Sequence, residues 1–484
     1  MLSQVVLAGE QKKVLFLPPK NPIQIKGVAG SGKTTVALYR AKHLLENHGD
    51  LFEPTRVAIF TFNKTLSGYI SALTAVSESD PNFGPSSGIA VTHFHRWAWH
   101  FLKDHGNQLV HRTVSGTSQL GLIVRAMNSL GPETRRAPIM SKSTEFFREE
   151  IAWIKGQLFA AMGDYIEAKR VGRGTTDRVT QKDKEAIWDL YRAYQEILKK
   201  LRHIDFDDYA PLALEAIDRD PNFTPPFTHI VVDEAQDLNK AQVSVITRLV
   251  EPSTNSISLI ADAAQRIYKS GFTWSEVGIN VRGGRTIEFK KNYRNTLGIA
   301  KAASSLLSHD NDSSDFTEIE PLSIDDSQPL LKGFKSESEE LFWLVSAVQG
   351  LVEADPHKSI CIAHRTTQGV KRAASGLAAG GLSTEIISGT SEVDYATDTV
   401  KLSTMSSIKG LEFDYVFIIG LSEGVIPLPA GFSEPDDELH ISTERRLLYT
   451  CMTRAKLALY LSYHTIQCRY LREISPEFLK VEQA

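Results

Sequence analysis

Gly27-Val28-Ala29-Gly30-Ser31-Gly32-Lys33-Thr34 fits the pattern G-x-x-x-x-G-K-[ST]. In that spacing the glycines let successive backbone N–H groups curl around phosphate oxygens, and a following helix adds its positive end. Lys33 would reach the β and γ oxygens, Thr34 would hold Mg²⁺, and Thr35 continues the segment into the helix. A phosphate loop needs a carboxylate at the end of a neighbouring strand. Ile230-Val231-Val232-Asp233-Glu234 supplies two, Asp233 for the metal and Glu234 to take a proton from an attacking water. Hydrolysis of a γ-phosphate also leans on positive charge that stabilises the transition state. Arg294 and Arg454, both downstream in a region with no phosphate loop of its own, are the candidates. The expected catalytic and metal residues are therefore Lys33, Thr34, Asp233, Glu234, Arg294 and Arg454, set in a cleft between two lobes.

These side chains need parallel strands to carry them. Apolar runs at Arg56–Phe60, His229–Val232, Ser256–Ile260 and Tyr415–Ile419 alternate with helical stretches, so the expected class is α/β with open parallel sheets. The run Ile23–Lys26 and the helix-compatible stretch Thr35–Glu46 flank the phosphate loop as that motif requires. From about Phe101 to Leu214 the pattern changes. Strand runs are lacking, and Ile187, Leu190, Tyr191, Tyr194, Ile197, Leu198 and Leu201 fall on one helix face, which predicts a helical insertion. The expected organisation is a first lobe over 1–100 and 215–290, the insertion over 101–214, and a second lobe over 291–484. Polar stretches at Ser77–Gly88, Asp310–Asp326 and Glu434–Glu438 read as solvated surface loops.

The net charge of -4 gives no global field for a polyanion, so any nucleic-acid site must be a local groove. Cys361, Cys451 and Cys468 form no C-x-x-C pair, and His93 and His95 lack partners at metal-ligand spacing. No apolar run is long enough to span a bilayer. A cytoplasmic protein with no membrane partner is the expectation.

Further blocks narrow the kind of machine. Asp233-Glu234-Ala235-Gln236-Asp237 reads D-E-x-Q-D, and Asp262-Ala263-Ala264-Gln265-Arg266-Ile267-Tyr268 reads D-x-x-Q-x-I-Y. Asn292-Tyr293-Arg294-Asn295-Thr296 is similar to N-Y-R-[ST]-T, Thr404–Phe413 to T-x-H-x-x-K-G-L-E-F, and Glu444–Lys456 to E-x-R-R-L-x-Y-V-x-x-T-R-A. With these blocks in order, the chain resembles the UvrD/Rep/PcrA helicases of superfamily 1. That resemblance implies two RecA-like P-loop lobes, use of ATP and Mg²⁺, and 3′→5′ movement on single-stranded DNA. It also implies that Gln11 reads the adenine edge, Tyr293 stacks on adenine, Glu412 meets the ribose, Gln265 senses the γ-phosphate and Asp262 couples it to the strand.

Motors of this kind hold a strand by stacking bases on rings and binding phosphates. The candidates are Phe62, Asn63, Lys64, His95, Tyr268, Trp274, Arg365 and Thr404, several of them just past predicted strands, at the sheet edge where open α/β sheets take ligands. Trp97, Trp99 and Phe101 read as helix core instead. Ser406 stands where the family pattern has histidine, and no arginine follows Ile267-Tyr268 at the usual place. Lys169, Arg170, Arg173 and Arg178 form a basic stretch that could grip duplex phosphates. The interval Arg294–Thr404 has little room for the second helical insertion of the larger relatives, and no nuclease spacing follows Arg454. The expected substrate is single-stranded DNA or a tailed duplex. A switch subunit that gates a partner nuclease or a repair or defence protein, and an RNA motor, are the alternatives.

Overall fold

A computed structural model describes residues 7, 9–47, 54–61, 89–168, 179–262, 272–281, 285–310, 320–321, 323–387, 399–428 and 438–483. Its strands in chain order begin with β1 (Ile23–Gly27), β2 (Val57–Thr61) and β3 (Ile89–His93). A two-residue pair follows, β4 (Thr113–Val114) and β5 (Ile204–Asp205), then β6 (His229–Val232), β7 (Ser256–Ala261) and β8 (Thr286–Phe289). The six longer strands form one sheet in the order β3-β2-β6-β7-β1-β8, each neighbouring pair parallel. Every residue of β2, β6 and β7 is buried. Strands covered on both faces read as unbroken apolar runs, which is why their positions were readable to within a residue.

After a short pair, β9 (Lys291–Asn292) with β10 (Glu320–Pro321), comes a second parallel sheet. Its strands are β11 (Leu330–Phe334), β12 (Ile360–His364), β13 (Thr384–Ile387), β14 (Val400–Thr404), β15 (Phe413–Ile418), β16 (Ala455–His464) and β17 (Lys480–Gln483), in the order β13-β14-β12-β15-β16-β11-β17. One apolar cluster continues from Ile23 and Ile25 of β1 through Ile299 and Leu306 to Val416, Leu447 and Leu459 of the second sheet. The two lobes therefore share buried surface at the place where the nucleotide loop leaves β1.

Between β3 and β6 the chain is chiefly helical. Helix Gln181–Leu201 starts on a reciprocal cap between Thr180 and Asp183, buries Ile187, Leu190, Tyr194, Ile197 and Leu198, and stops at Arg202 in the left-handed region. Its apolar stripe closes a core of its own with Phe147, Ile151 and Tyr165. Contrary to the sequence reading, this segment holds β4 and β5, which pair over two residues each. A ladder that short leaves no alternation to detect. The acidic stretch beginning at Asp310 also needs correction at its first residue. Asp310 is buried, forked by Arg446 (2.6 and 3.0 Å) and bound by Ser442 (2.9 Å), so it staples helix Leu297–Leu307 to helix Glu438–Met452. A forked arginine and a hydroxyl satisfy the carboxylate and allow its burial.

Among the described residues no helix is long and apolar enough to cross a membrane, and no cluster of His, Cys, Asp and Glu could hold a metal ion on its own. All three cysteines are buried and unpaired as disulfides.

Candidate active site

β1 delivers the phosphate loop, and helix α1 (Lys33–Asn47) begins at its lysine. Gly30 and Gly32 sit at φ +72° and +78°, a region where only glycine is at ease. A β-carbon on Gly30 would also stand 2.3 Å from Asn292 Oδ1, so space as well as backbone requires glycine there. Lys33, nearly buried, donates to the carbonyls of Gly27 (2.9 Å) and Val28 (2.8 Å) and to Asp262 Oδ2 (2.9 Å) at the end of β7. Thr34 Oγ1 donates to Asp233 Oδ2 at 2.9 Å, which joins the start of α1 to the end of β6.

Burial, with the charge of Glu234 behind it, pushes the Asp233 carboxyl up to about 7. A carboxylate so placed gains most from a cation beside it. Glu234 takes the opposite direction. Burial alone would raise it, but Lys409, Lys33 and Arg454 together hold it below the ordinary range. Its backbone lies at φ 55°, ψ 40°, its amide donates to Asp233 Oδ1 (3.0 Å), and its carboxylate accepts from Gln236 Nε2. Gln236 in turn accepts from the amide of Asp262 at 3.0 Å, so the two strand ends are tied across the sheet.

Three cations come from the second lobe. Arg294 donates through Nε to Glu412 Oε2 (2.8 Å) and through Nη1 to the carbonyl of Thr453 (3.3 Å). Arg454, fully buried, donates to Thr450 O (2.8 Å) and Leu411 O (3.4 Å); burial and the neighbouring charge of Arg294 bring it down to about 10. Its field reaches Glu234 and Asp262 across the gap between lobes. Lys409, from the K-G-L-E-F block, is ion-paired with Asp237 and lies 3.9 Å from Glu234 Oε2. Burial lowers the Lys409 ammonium, and those two carboxylates more than offset it.

The residues expected around the base and ribose gather at the same place. Gln11 is buried and donates from Nε2 to Ser31 O at 2.8 Å. Tyr293 donates its amide to Gly30 O (2.9 Å), and its hydroxyl covers Gly9 so closely that a β-carbon there would lie 2.8 Å away. Glu412 holds both Arg294 and Lys456 (3.1 Å); burial would raise it, and these two charges bring it down to about 2. Val28, Ala29 and Ser31 are buried in the loop, and Thr35 lies in the first turn of α1.

The strand-binding candidates are more scattered. Phe62, Asn63, Lys64, Gln265, Tyr268 and the basic stretch 169–178 lie outside the described residues. His95 stands edge-on to Phe206 (5.3 Å) and beside Tyr209 (6.0 Å), and burial brings it down to about 4, so it is a neutral ring. Trp274 packs edge-on against Phe272 at 5.5 Å and leans on the first-lobe core, as do Trp97, Trp99 and Phe101. Arg365 is forked by Glu444 (2.8 and 2.6 Å), and Thr404 Oγ1 donates to Ser407 Oγ (2.9 Å), so both are engaged within the lobe.

Reasoning from motifs passed over Lys409, Asn292, Asn295 and Phe206. The first three lie inside the recognised blocks, and a buried ion pair or amide network leaves no trace in spacing. Phe206, in His203-Ile204-Asp205-Phe206-Asp207-Asp208, is 45% exposed beside His95; an aromatic ring within an acidic turn was the available signal.

The family described as the UvrD/REP helicase N-terminal domain matches residues 7–277, and the UvrD-like helicase C-terminal domain matches residues 384–466. The chain is 27% identical over 310 residues to ATP-dependent DNA helicase PcrA of Leuconostoc citreum, covering 60% of this chain and 38% of that protein. To DNA helicase II of Escherichia coli K12 it is 25% identical over 323 residues, covering 63% and 41%. A shorter match to ATP-dependent DNA helicase Rep of Buchnera aphidicola reaches 47% identity over 73 residues, 15% of this chain and 10% of that protein. The longer of these alignments span about two-fifths of the relatives' length. With the first family model covering more than half of its 484 residues, and with parallel RecA-like lobes bearing the matching blocks, the chain belongs to the UvrD/REP helicase family.

Proposed function

We propose that this chain is an ATP-driven motor on single-stranded DNA that moves 3′→5′ and couples hydrolysis in the interlobe site to strand movement and duplex opening. The observation that carries the reading is the meeting of Lys33, Asp233 and Glu234 of one lobe with Lys409, 3.9 Å from Glu234, and the field of Arg454 from the other, with Arg294 lying against Gly30 of the loop. Domain closure then becomes a catalytic variable, because the charge that stabilises the transition state arrives from the second lobe. In this scheme Lys33 and the loop amides bind the phosphates, and Glu234, kept ionised, accepts the proton of the attacking water. Arg294 and Arg454 oppose the charge that builds on the γ-phosphoryl group. Gln11 and Tyr293 place the base, Glu412 the ribose, and Gln265 reports on the γ-phosphate.

The Thr34 hydroxyl and the Asp233 carboxylate, 2.9 Å apart, are hard oxygen donors that suit Mg²⁺ and would hold it there. The ion would supply charge neutralisation to the bound phosphates. The strand would run past the carboxyl ends of the first-sheet strands, with Phe206 a further ring for stacking. Direction is assigned from the motif resemblance. The described helices between Arg294 and Thr404 all belong to the second lobe itself, so we read the second insertion as absent or vestigial and translocation as the primary activity.

The test is ATP turnover by the full chain with and without single-stranded DNA, beside Lys33→Ala, with strand displacement on duplexes bearing a 3′ or a 5′ tail. Stimulation by DNA that Lys33→Ala abolishes, and displacement only from 3′ tails, is the expected result. Turnover that depends on Lys33 but ignores DNA would overturn the motor in favour of a nucleotide-switched partner subunit. Preferential stimulation by RNA would reassign the substrate.

A further inference from the structure

Asn295 lies between the two arginines and touches no carboxylate, lysine or loop amide of the phosphate site. It is 2% exposed, and its side-chain amide is fully used. Oδ1 accepts from Asn292 Nδ2 at 2.8 Å, while Nδ2 donates to the carbonyl of Thr453 at 3.1 Å and to the carbonyl of Ala455. Its two amide protons are thus spent on the residues immediately before and after Arg454. The backbone amides of Arg294 and Asn295 both donate to Asn292 Oδ1 at 2.9 Å, and that oxygen is the atom lying against Gly30 of the phosphate loop. A continuous chain of contacts therefore runs from Gly30 through Asn292 and Asn295 to the backbone on either side of Arg454.

A primary carboxamide is the side chain this position demands. Its planar group carries two donors and one acceptor at fixed angles, so it can bridge two carbonyls while accepting from a third group. A hydroxyl has one proton and can serve only one of the two carbonyls. Arg294 also donates to Thr453 O, the same carbonyl that Asn295 holds, so the two arginine-bearing segments share one anchor.

We propose that Asn295 is a positioning residue that fixes the backbone carrying Arg454 against the loop carrying Arg294, so that both guanidiniums address one phosphoryl group together. This rests on the ATP-hydrolysis reading above. A misplacement of transition-state charge costs turnover and leaves ground-state binding nearly intact, whereas general loosening of the lobe would move both and lower the melting temperature.

The experiment is steady-state ATP turnover by the full chain at saturating single-stranded DNA, with thermal melting alongside. Asn295→Asp keeps the shape and replaces both donors with an oxygen facing two carbonyls. Asn295→Ser removes one or both bridges at smaller volume and decides the matter if the aspartate variant does not fold. The expected result is a KM for ATP within about twofold of wild type, a kcat lower by about tenfold or more for Asp and by about fivefold for Ser, and a melting temperature within about 3 °C for Ser. In an Arg454→Lys background, adding Asn295→Ser should cost less than about a further twofold, because both changes act through one cation. Unchanged kcat in a folded Asn295→Asp or Asn295→Ser chain, or losses that multiply fully in the double variant, would overturn the proposal. Full turnover by Arg454→Lys alone would overturn this proposal together with the hydrolysis reading, while a loss there with none in the Asn295 variants overturns this proposal alone.

Discussion

The two sheets are built alike and finish their strands differently. In the first lobe β1 ends in a glycine loop at positive φ with a cation, Lys33, among its carbonyls. In the second lobe the corresponding ground above β11, β15 and β16 is filled by a carboxylate. Glu340, in the first turn of helix Glu337–Ala354, accepts from the amide of Gly420 (2.9 Å), from Ser462 Oγ and from His464 Nδ1 (2.7 Å). A strand-end cradle of donors can be left open to phosphate or closed by the protein's own anion. Under the function proposed above, the first arrangement suits a lobe that binds nucleotide and the second a lobe that lends arginines to it.

This contrast can be broken by experiment. If the first lobe's partners serve chemistry, Arg454→Ala should lower kcat by about 10²- to 10³-fold while ATP affinity, read by fluorescent-nucleotide titration, changes little. Unaltered turnover would remove Arg454 from the site. If the second lobe's cradle serves folding, Glu340→Ala should cost about 3 kcal/mol in denaturant unfolding, because two buried donors and the half-buried His464 lose their acceptor. Turnover per folded molecule should hold, and a large kcat loss at full stability would dissolve the distinction between the lobes.

The smallest of these effects is a pH dependence. The hydrogen bond to Glu340 raises His464 above the usual histidine value, against some loss from burial. Burial would raise Glu340, yet its bonds to His464, Ser462 and the Gly420 amide hold it below the usual carboxylate range. A histidine raised in the folded state contributes stability that is complete below about 6.5 and is lost as pH climbs through the folded value. The lowered carboxylate contributes above about 4.3 and loses its share as pH falls through its own folded value. The melting-temperature difference between wild type and His464→Gln should therefore peak near pH 6 and shrink toward alkaline pH. A difference that grows with pH would mean that the pair is not ionic.

Much of this was legible in the sequence, for definable reasons. Strands covered on both faces announce themselves as apolar runs, and a phosphate loop has few ways to be written, so β1, β6, β7, Lys33 and Asp233 could be placed from residues alone. Long-range polar pairing left no such mark. Asp310 reads as a solvated acid until Arg446, more than a hundred residues on, folds against it. Arg365 looks free for a phosphate and is held by Glu444. Lys409 is an ordinary lysine in a motif until Asp237 buries it. Hydrophobic periodicity is local information, whereas each of these pairs is decided by how segments distant in the chain pack together.

Glu234 carries one more implication. Its φ of 55° places an acidic side chain where a chain selected for stability alone would put glycine. Comparing Glu234→Gly with Glu234→Ala isolates that conformational component, since both lose the carboxylate and only glycine is unstrained. The glycine variant should be more stable by about 1 kcal/mol, and equal stabilities would mean that the backbone relaxes. On the proposed role of Glu234, natural drift toward a sturdier fold at this position would run through molecules that lack the proton acceptor. If Glu234 accepts the proton as proposed, the strain is a standing trade between durability and hydrolysis.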